Sequence, residues 1–298
     1  MRISSSLLYD RAAQSMGGLT ARADTLQTQI ATGKRIVAPS NDAAGYRQLN
    51  TLKRAATDDV QNAANVQLAA SLVTASDTAL SAIETQLQRA NELVVQGASD
   101  TLSADQKSAI ATQLDAVLED IVRLANATDS RGSPLFSGAS EATPYTLNAD
   151  GTVSYGGSGE SSPIPIGGAS IQATVSGERI FGGVATAAGT SDVFAIVKSV
   201  ADSLRAGTGI GSGIADVQAA LGAVTDARAS AGARGARLDL ETARLADIAT
   251  AREEVRTGIE DVDVTQTITE LQKTLTVLQA TQASFTKLTS LSLFDYIR

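Results

Sequence analysis

The chain has 298 residues, 43% of them apolar but only 3% aromatic, with a formal net charge of -8 and neither Cys nor His. Its size allows one large domain or two smaller ones. The absences exclude disulfides, thiolate chemistry, the usual zinc, copper and haem ligand sets, a Ser-His-Asp triad and a Cys-His pair, so no catalytic residue, metal or cofactor is expected. Carboxylate-only catalysis and a Ser-Lys pair remain formally open. The acidic balance speaks against nucleic acid and against an anionic membrane surface as partners.

The first sixteen residues carry Arg2, Asp10 and Arg11 without an apolar central run, so they do not read as a cleaved secretory signal. No stretch reaches the roughly 18 apolar residues of a membrane helix. From residue 12, apolar positions recur at Ala12, Met16, Leu19, Ala23, Leu26 and Ile30, in alternating steps of four and three. That is a coiled-coil seam. Thr32-Gly33 reads as its C-cap, and Ser40, Asn41 and Asp42 are N-cap choices for a second helix running to about Gln96. The second seam is clearest at Leu80, Ile83, Leu87, Ala90 and Val94, with Asp59, Asp77, Glu84 and Asn91 on seam-like positions. Ser103-Ala-Asp-Gln106 is a capping box opening a third helix with Ile110, Leu114, Val117, Ile121 and Leu124 in line.

Composition then changes. Residues 132–190 hold 12 of the 25 Gly, and 134–165 hold four of the five Pro. Tyr145–Tyr155 reads as two strands around an Asp150-Gly151 turn, with Tyr145 and Tyr155 a cross-strand pair, and Ala169–Val175 alternates as a further strand. An exposed aromatic pair there would instead suit a carbohydrate-binding surface. Helices resume near Ser191, with Val193, Val197, Val200 and Leu204 on one face. After the glycines at 207–213, which lack a phosphate-loop Lys, a long helix is predicted from Ile214 to Arg256. Its Arg228, Arg234, Arg237 and Arg244 read as solvated or paired with Asp239 and Glu241. A turn at Thr257-Gly258 leads to a last helix whose seam reads Val264, Ile268, Leu271, Leu275, Leu278, Gln282 and Phe285, continuing through Leu288 and Leu291.

The expected fold is mainly α: long coiled-coil helices from both chain ends form a helical bundle, with a small β-rich domain in the middle. The boundaries read as 1–38 with 264–298 for a terminal coiled-coil segment, 39–132 with 190–263 for the bundle, and 133–189 for the β-rich domain. The first 35 residues carry a net +3 and the last 35 a net +1, leaving -12 between them. Sparsely charged seams at both ends suit a polymer core, and an ordinary four-helix bundle accounts for the same periodicity.

Several motifs carry a resemblance. Leu26-Gln-Thr-Gln-Ile-Ala-Thr-Gly-Lys-Arg-Ile36, Pro39-Ser-Asn-Asp-Ala-Ala-Gly45, Leu87–Gln96 and Ile259-Glu-Asp-Val-Asp263 resemble, in order, the signatures of the bacterial flagellin family. The likeness spans roughly 1–135 and 190–298. The tail Ser292-Leu-Phe-Asp-Tyr296 and Pro134-Leu-Phe-Ser-Gly138 are similar to a member at the hook–filament junction, whereas Asp42-Ala-Ala-Gly45 is the version found in filament-forming members. The resemblance implies a secreted structural protein of the flagellum, exported by a type III system without a cleaved signal peptide. It implies self-assembly into a homo-oligomeric ring, with hook-side and flagellin neighbours and an export chaperone, and a short flagellin is the alternative. The assembly interface is expected at Met16, Leu19, Leu26, Ile30, Ile268, Leu271, Leu275, Leu278 and Phe285. Burying a Leu contributes roughly 1.5–3 kcal/mol and ordering a residue costs about 1–2 kcal/mol, so a lone terminal helix is marginal and neighbours decide whether it folds.

Overall fold

Gly33, at φ +69° where side chains are strained, ends helix α1 (Arg2–Thr32). In this computed structural model, which describes residues 2–294, α2 (Ala43–Gly97) is opened by Asp42. Its Oδ1 accepts from the backbone N–H groups of Ala44 at 3.1 Å and Gly45 at 2.8 Å. Helix α3 (Ala104–Ala125) starts on the expected capping box, with Gln106 N–H donating to Ser103 Oγ at 3.3 Å and Ser103 N–H to Gln106 Oε1 at 2.9 Å.

The β-rich stretch is three two-stranded antiparallel ribbons among the described residues. Strands β1 (Tyr145–Leu147) and β2 (Val153–Tyr155) pair Tyr145 opposite Tyr155, as predicted. Strands β3 (Ile164–Pro165) and β4 (Ser170–Ile171) form only a two-residue ribbon. The strand expected over 169–175 is therefore cut short after Ile171, because the next facing position is Pro163, which has no N–H to give to the ladder. A one-turn helix α4 (Gly177–Phe181) and the ribbon β5 (Val184–Thr186) and β6 (Gly189–Ser191) complete the stretch. Neither carried a recognisable period in the sequence.

Asp192 caps α5 (Val193–Ala206), accepting from Ala195 N–H at 2.7 Å. The long helix α6 (Gly213–Glu260) runs through Thr257-Gly258 without the predicted turn. Glu260 pairs with Arg256 one turn before it, and the break falls at 261–263. There Asp263 starts α7 (Val264–Phe294) by accepting from Gln266 N–H at 3.0 Å.

The chain divides into two compact units, residues 1–57 with 247–298, and residues 58–246. In the second unit the α2 seam Leu80, Ile83, Leu87, Ala90 and Val94 is buried together with the α3 seam, the α5 face and Val217, Ala220 and Val224 of α6. Further along, Val66, Ala69 and Val73 pack with Ala231, Leu238 and Leu245, and with Ile166 and Ile171 of the ribbon. Residues 217, 224, 231, 238 and 245 of α6 are seven apart, the repeat of a coiled-coil position. Helix α2 holds an 18-residue window of mean hydropathy 1.2, long and apolar enough to cross a membrane. Of that window 39% is buried within the protein.

The ribbon is anchored to α3 by its C-cap. Asn126 Oδ1 accepts from Tyr145 N–H at 2.8 Å, and its Nδ2 donates to Tyr145 O at 2.8 Å. Phe136, Tyr145, Phe181 and Phe194 then form a buried aromatic cluster with ring centroids 4.6–5.8 Å apart. Tyr145 is thereby turned inward, and Tyr155 donates to Phe136 O at 3.0 Å. The pair offers no exposed aromatic platform, and burial pushes the Tyr145 phenol well above its usual range.

Candidate assembly site

Two of the motifs singled out in the sequence, 33–36 and 259–263, meet in space. Lys34 and Asp261 form an antiparallel bridge. Arg35 N–H donates to Glu260 O at 2.6 Å, and Val262 N–H to Gly33 O at 3.1 Å. Side chains reinforce this clasp. The Lys34 ammonium lies 2.6 Å from Glu260 Oε1, and Arg256 donates to Glu260 Oε2. Arg35 donates to Ile259 O at 2.9 Å and reaches Asp42 at 3.4 Å, while Gln29 donates to Arg35 O at 2.7 Å. Lys34 first and Arg256 second hold the Glu260 carboxyl below the usual carboxylate range, against the opposing effect of burial. The Gly45 N–H, then Arg35, do the same for Asp42. Glycine at 45 is required by close approach: a Cβ there would stand 2.5 Å from Ile36 Cδ1 and 2.7 Å from Asp42 Oδ2.

Helices α1 and α7 run antiparallel beside each other. Three pairs set the register: Tyr9 with Phe285, whose rings meet edge to face at 5.6 Å, the ion pair Arg22 with Glu270, and the Lys34–Asp261 bridge. Ala23 and Leu26 are buried, and Ala12, Met16, Leu19 and Ile30 half-buried, so the α1 seam is its least exposed face. A cleft of about 510 Å³ beside the clasp is lined by Arg22, Gln29, Arg35, Asn41, Asp42 and Glu270. Its charges are already matched as Arg22–Glu270 and Arg35–Asp42.

Helix α7 departs from the predicted seam. Its covered row is Thr267, Leu271, Thr274, Leu278, Thr281 and Phe285, with Thr267 and Thr274 each only 6% exposed. The three threonine hydroxyls donate to the carbonyls of Asp263, Glu270 and Val277 at 2.7–2.8 Å, leaving their methyl groups for packing. Ile268 and Leu275 stand outside this row at 41% and 36% exposure, beside an exposed Val264. The single row read from the sequence is thus two rows, one packed and one open. The sequence signal for the packed row was threonine at 267, 274 and 281, spaced by seven, which a search for apolar residues passes over. The side chains of Leu288 and Leu291, and the tail from Asp295 to Arg298, lie outside the described residues.

Elsewhere the arginines of α6 are mostly paired across or along helices. Arg228 holds both Asp77, at 3.2 Å, and Glu84, so these acids next to the α2 seam set a pairing with α6. Arg244 pairs with Glu241, but Asp239 takes no arginine among the described residues. No group of three or more Asp and Glu that could hold a metal ion occurs among the described residues.

Residues 3–141 match the bacterial flagellin N-terminal helical region, and residues 214–297 the C-terminal helical region. The chain belongs to the bacterial flagellin family. It is similar to flagellar hook-associated protein 3 of Escherichia coli K12, 27% identical over 322 residues that cover 99% of each chain. Flagellar hook-associated protein 3 of Salmonella typhimurium is 34% identical over 149 residues, 49% of this chain and 46% of that one. Its fold is shared with flagellar hook-associated protein 3 from Legionella pneumophila, at a TM-score of 0.62 and 17% identity over 70% of this chain and 99% of that one. This flagellin-family chain is therefore a structural protein of the bacterial flagellum and not an enzyme, as its sequence had indicated.

Proposed function

We propose that the chain joins hook to filament, assembling into a homo-oligomeric ring through segments 1–38 and 264–298. The observation that carries this reading is the open row on α7. Helix α1 is matched to the threonine-containing row, yet Val264, Ile268 and Leu275 remain exposed on a helix whose other face is already packed. Such a row suits burial against neighbouring copies. Met16, Leu19, Leu26, Ile30, Leu271, Leu278 and Phe285 form the intramolecular part of that segment, and Ile268 and Leu275 its outward part. An adjacent hook-associated protein on one side and flagellin on the other are the expected neighbours. Export to the cell exterior without a cleaved signal peptide, aided by a chaperone, belongs to the same reading.

Similarity across the full length of the Escherichia coli hook-associated protein favours the junction. The Asp42-Ala-Ala-Gly45 turn favours the second reading, a short flagellin that forms the filament itself. Immunogold labelling of isolated flagella separates them. A single band at the hook end is expected, and labelling all along the filament would replace the junction role with the flagellin one.

A further inference from the structure

Residues of α4, the loops flanking it and α6 line a groove of about 540 Å³. Its walls are apolar at Val175 and Ile180 and cationic at Arg179, Arg234 and Arg237, with Asp226 the one acid among them. Arg179 is engaged by Glu160 at 3.4 Å. Arg237 feels the Glu241 carboxylate, which itself is held by Arg244. Arg234 differs from Arg228, Arg244 and Arg256 of the same helix, each of which holds a carboxylate. It has no ion-pair partner among the described residues, and its Nε is buried without an acceptor. Burial and the like charge of Arg179 both disfavour its charged form. A half-buried guanidinium left unmatched in a chain of net charge -8 is a site that a carboxylate would complete.

The same unit presents a complementary acid and an exposed apolar side chain. Leu240 is 73% exposed, more than any other large apolar residue described. Asp239 before it is exposed and takes no arginine or lysine among the described residues. Five positions along a helix rotate Asp239 about 140° away from Arg234, so the two cannot meet within one chain. We infer that the groove between α4 and α6 receives the Asp239–Leu240 ridge of a second copy, an inference that rests on the assembly reading above. The aspartate meets Arg234, and the leucine lies on Val175 and Ile180. Groove and ridge are different surfaces, so the contact is head to tail and repeats from copy to copy instead of closing into a two-fold dimer.

The chain has no native cysteine, which makes the test direct. Ser230→Cys places a thiol in the groove wall and Leu240→Cys one on the ridge. In oxidised flagella from cells carrying only the double variant, disulfide-linked dimers and a ladder above them are expected, with neither single variant giving the ladder. Arg234→Asp should lower incorporation into flagella by about tenfold, and adding Asp239→Arg should restore it. Full incorporation of the double-cysteine variant without a ladder overturns the groove contact and leaves the assembly reading standing. Absence of the unaltered chain from flagella overturns the assembly reading itself. If sulfate stabilises the unaltered chain but not Arg234→Gln, and no ladder forms, the groove takes a free anion and the second-copy inference fails.

Discussion

The Lys34 ammonium sits 2.6 Å from the carboxylate of Glu260, a residue only 3% exposed. It is through this pair that the loop after the first helix and the end of the sixth are held together. The backbone bonds of Arg35 and Val262 flank it on either side. Glu260→Gln leaves Lys34 and Arg256 facing a neutral amide. It is expected to destabilise the unit formed by the chain ends by roughly 1–3 kcal/mol, read as an earlier urea transition. Lys34→Ala should cost less, since the ammonium end is about half exposed and Arg256 still serves the carboxylate. Equal or reversed effects of the two changes would remove Glu260 from the centre of the clasp.

Acid should open the same contact. The folded carboxyls of Glu260 and Asp42 lie below their unfolded values, because Lys34 and the Gly45 N–H respectively favour the charged form. Their contribution is therefore complete above the unfolded carboxylate range, near pH 4, and is lost as pH falls through the lower folded values. Stability of the unaltered protein should decline below about pH 4, and Glu260→Gln should flatten that decline. Proteolysis between residues 33 and 45, followed across pH, provides the measurement.

Gly45→Ala tests the entry to α2. A methyl group there meets Ile36 and the capping carboxylate at once. Ile36 is buried and Asp42 is tied to two N–H groups, so neither can simply swing aside. A loss of about 1–3 kcal/mol is expected, whereas an alanine in a free first turn would stabilise. Thermal unfolding decides the sign.

The packed seam between α1 and α7 and the open row of α7 should respond differently to truncation. Leu26→Ala removes a buried side chain of the α1 seam and should cost about 2–3 kcal/mol in the isolated chain. Ile268→Ala and Leu275→Ala lie on the open row and should change that stability by less than about 0.5 kcal/mol. The same two changes should sharply reduce the amount of protein recovered in flagella. Normal recovery with both residues replaced would mean that the open row is simply solvated surface.

Much of the fold is legible where one signal dominates. The Ser103–Gln106 box, the Gly33 stop, the Asp42 cap and the Tyr145–Tyr155 hairpin each follow from local chemistry and are found where expected. The seams of α2, α3 and α5 are likewise plain, because their apolar positions face a core and nothing else. Helix α7 misleads because it carries two apolar interests at once. Counting leucine and isoleucine merges Ile268 and Leu275 with Leu271 and Leu278, because they lie only about 40–60° away around the helix. Threonine resolves the phase, with its hydroxyl satisfied on its own helix and its methyl turned inward. The end of α6 was misplaced for a related reason. Gly258 reads as a stop in isolation, but Arg256 and Glu260 bridge it by pairing one turn apart. The clasp itself was invisible, since no spacing announces that Lys34 and Glu260 touch.

Arg35 and Ile259 are joined across 224 positions of the chain. A contact this remote closes a very long loop, and closure entropy must be overcome before any bond in it gives a return. The unit made by residues 1–57 and 247–298 therefore cannot form until both segments are present. The bonds of Arg35 with Glu260 and Ile259, and of Val262 with Gly33, are thus gained only after that loop has closed.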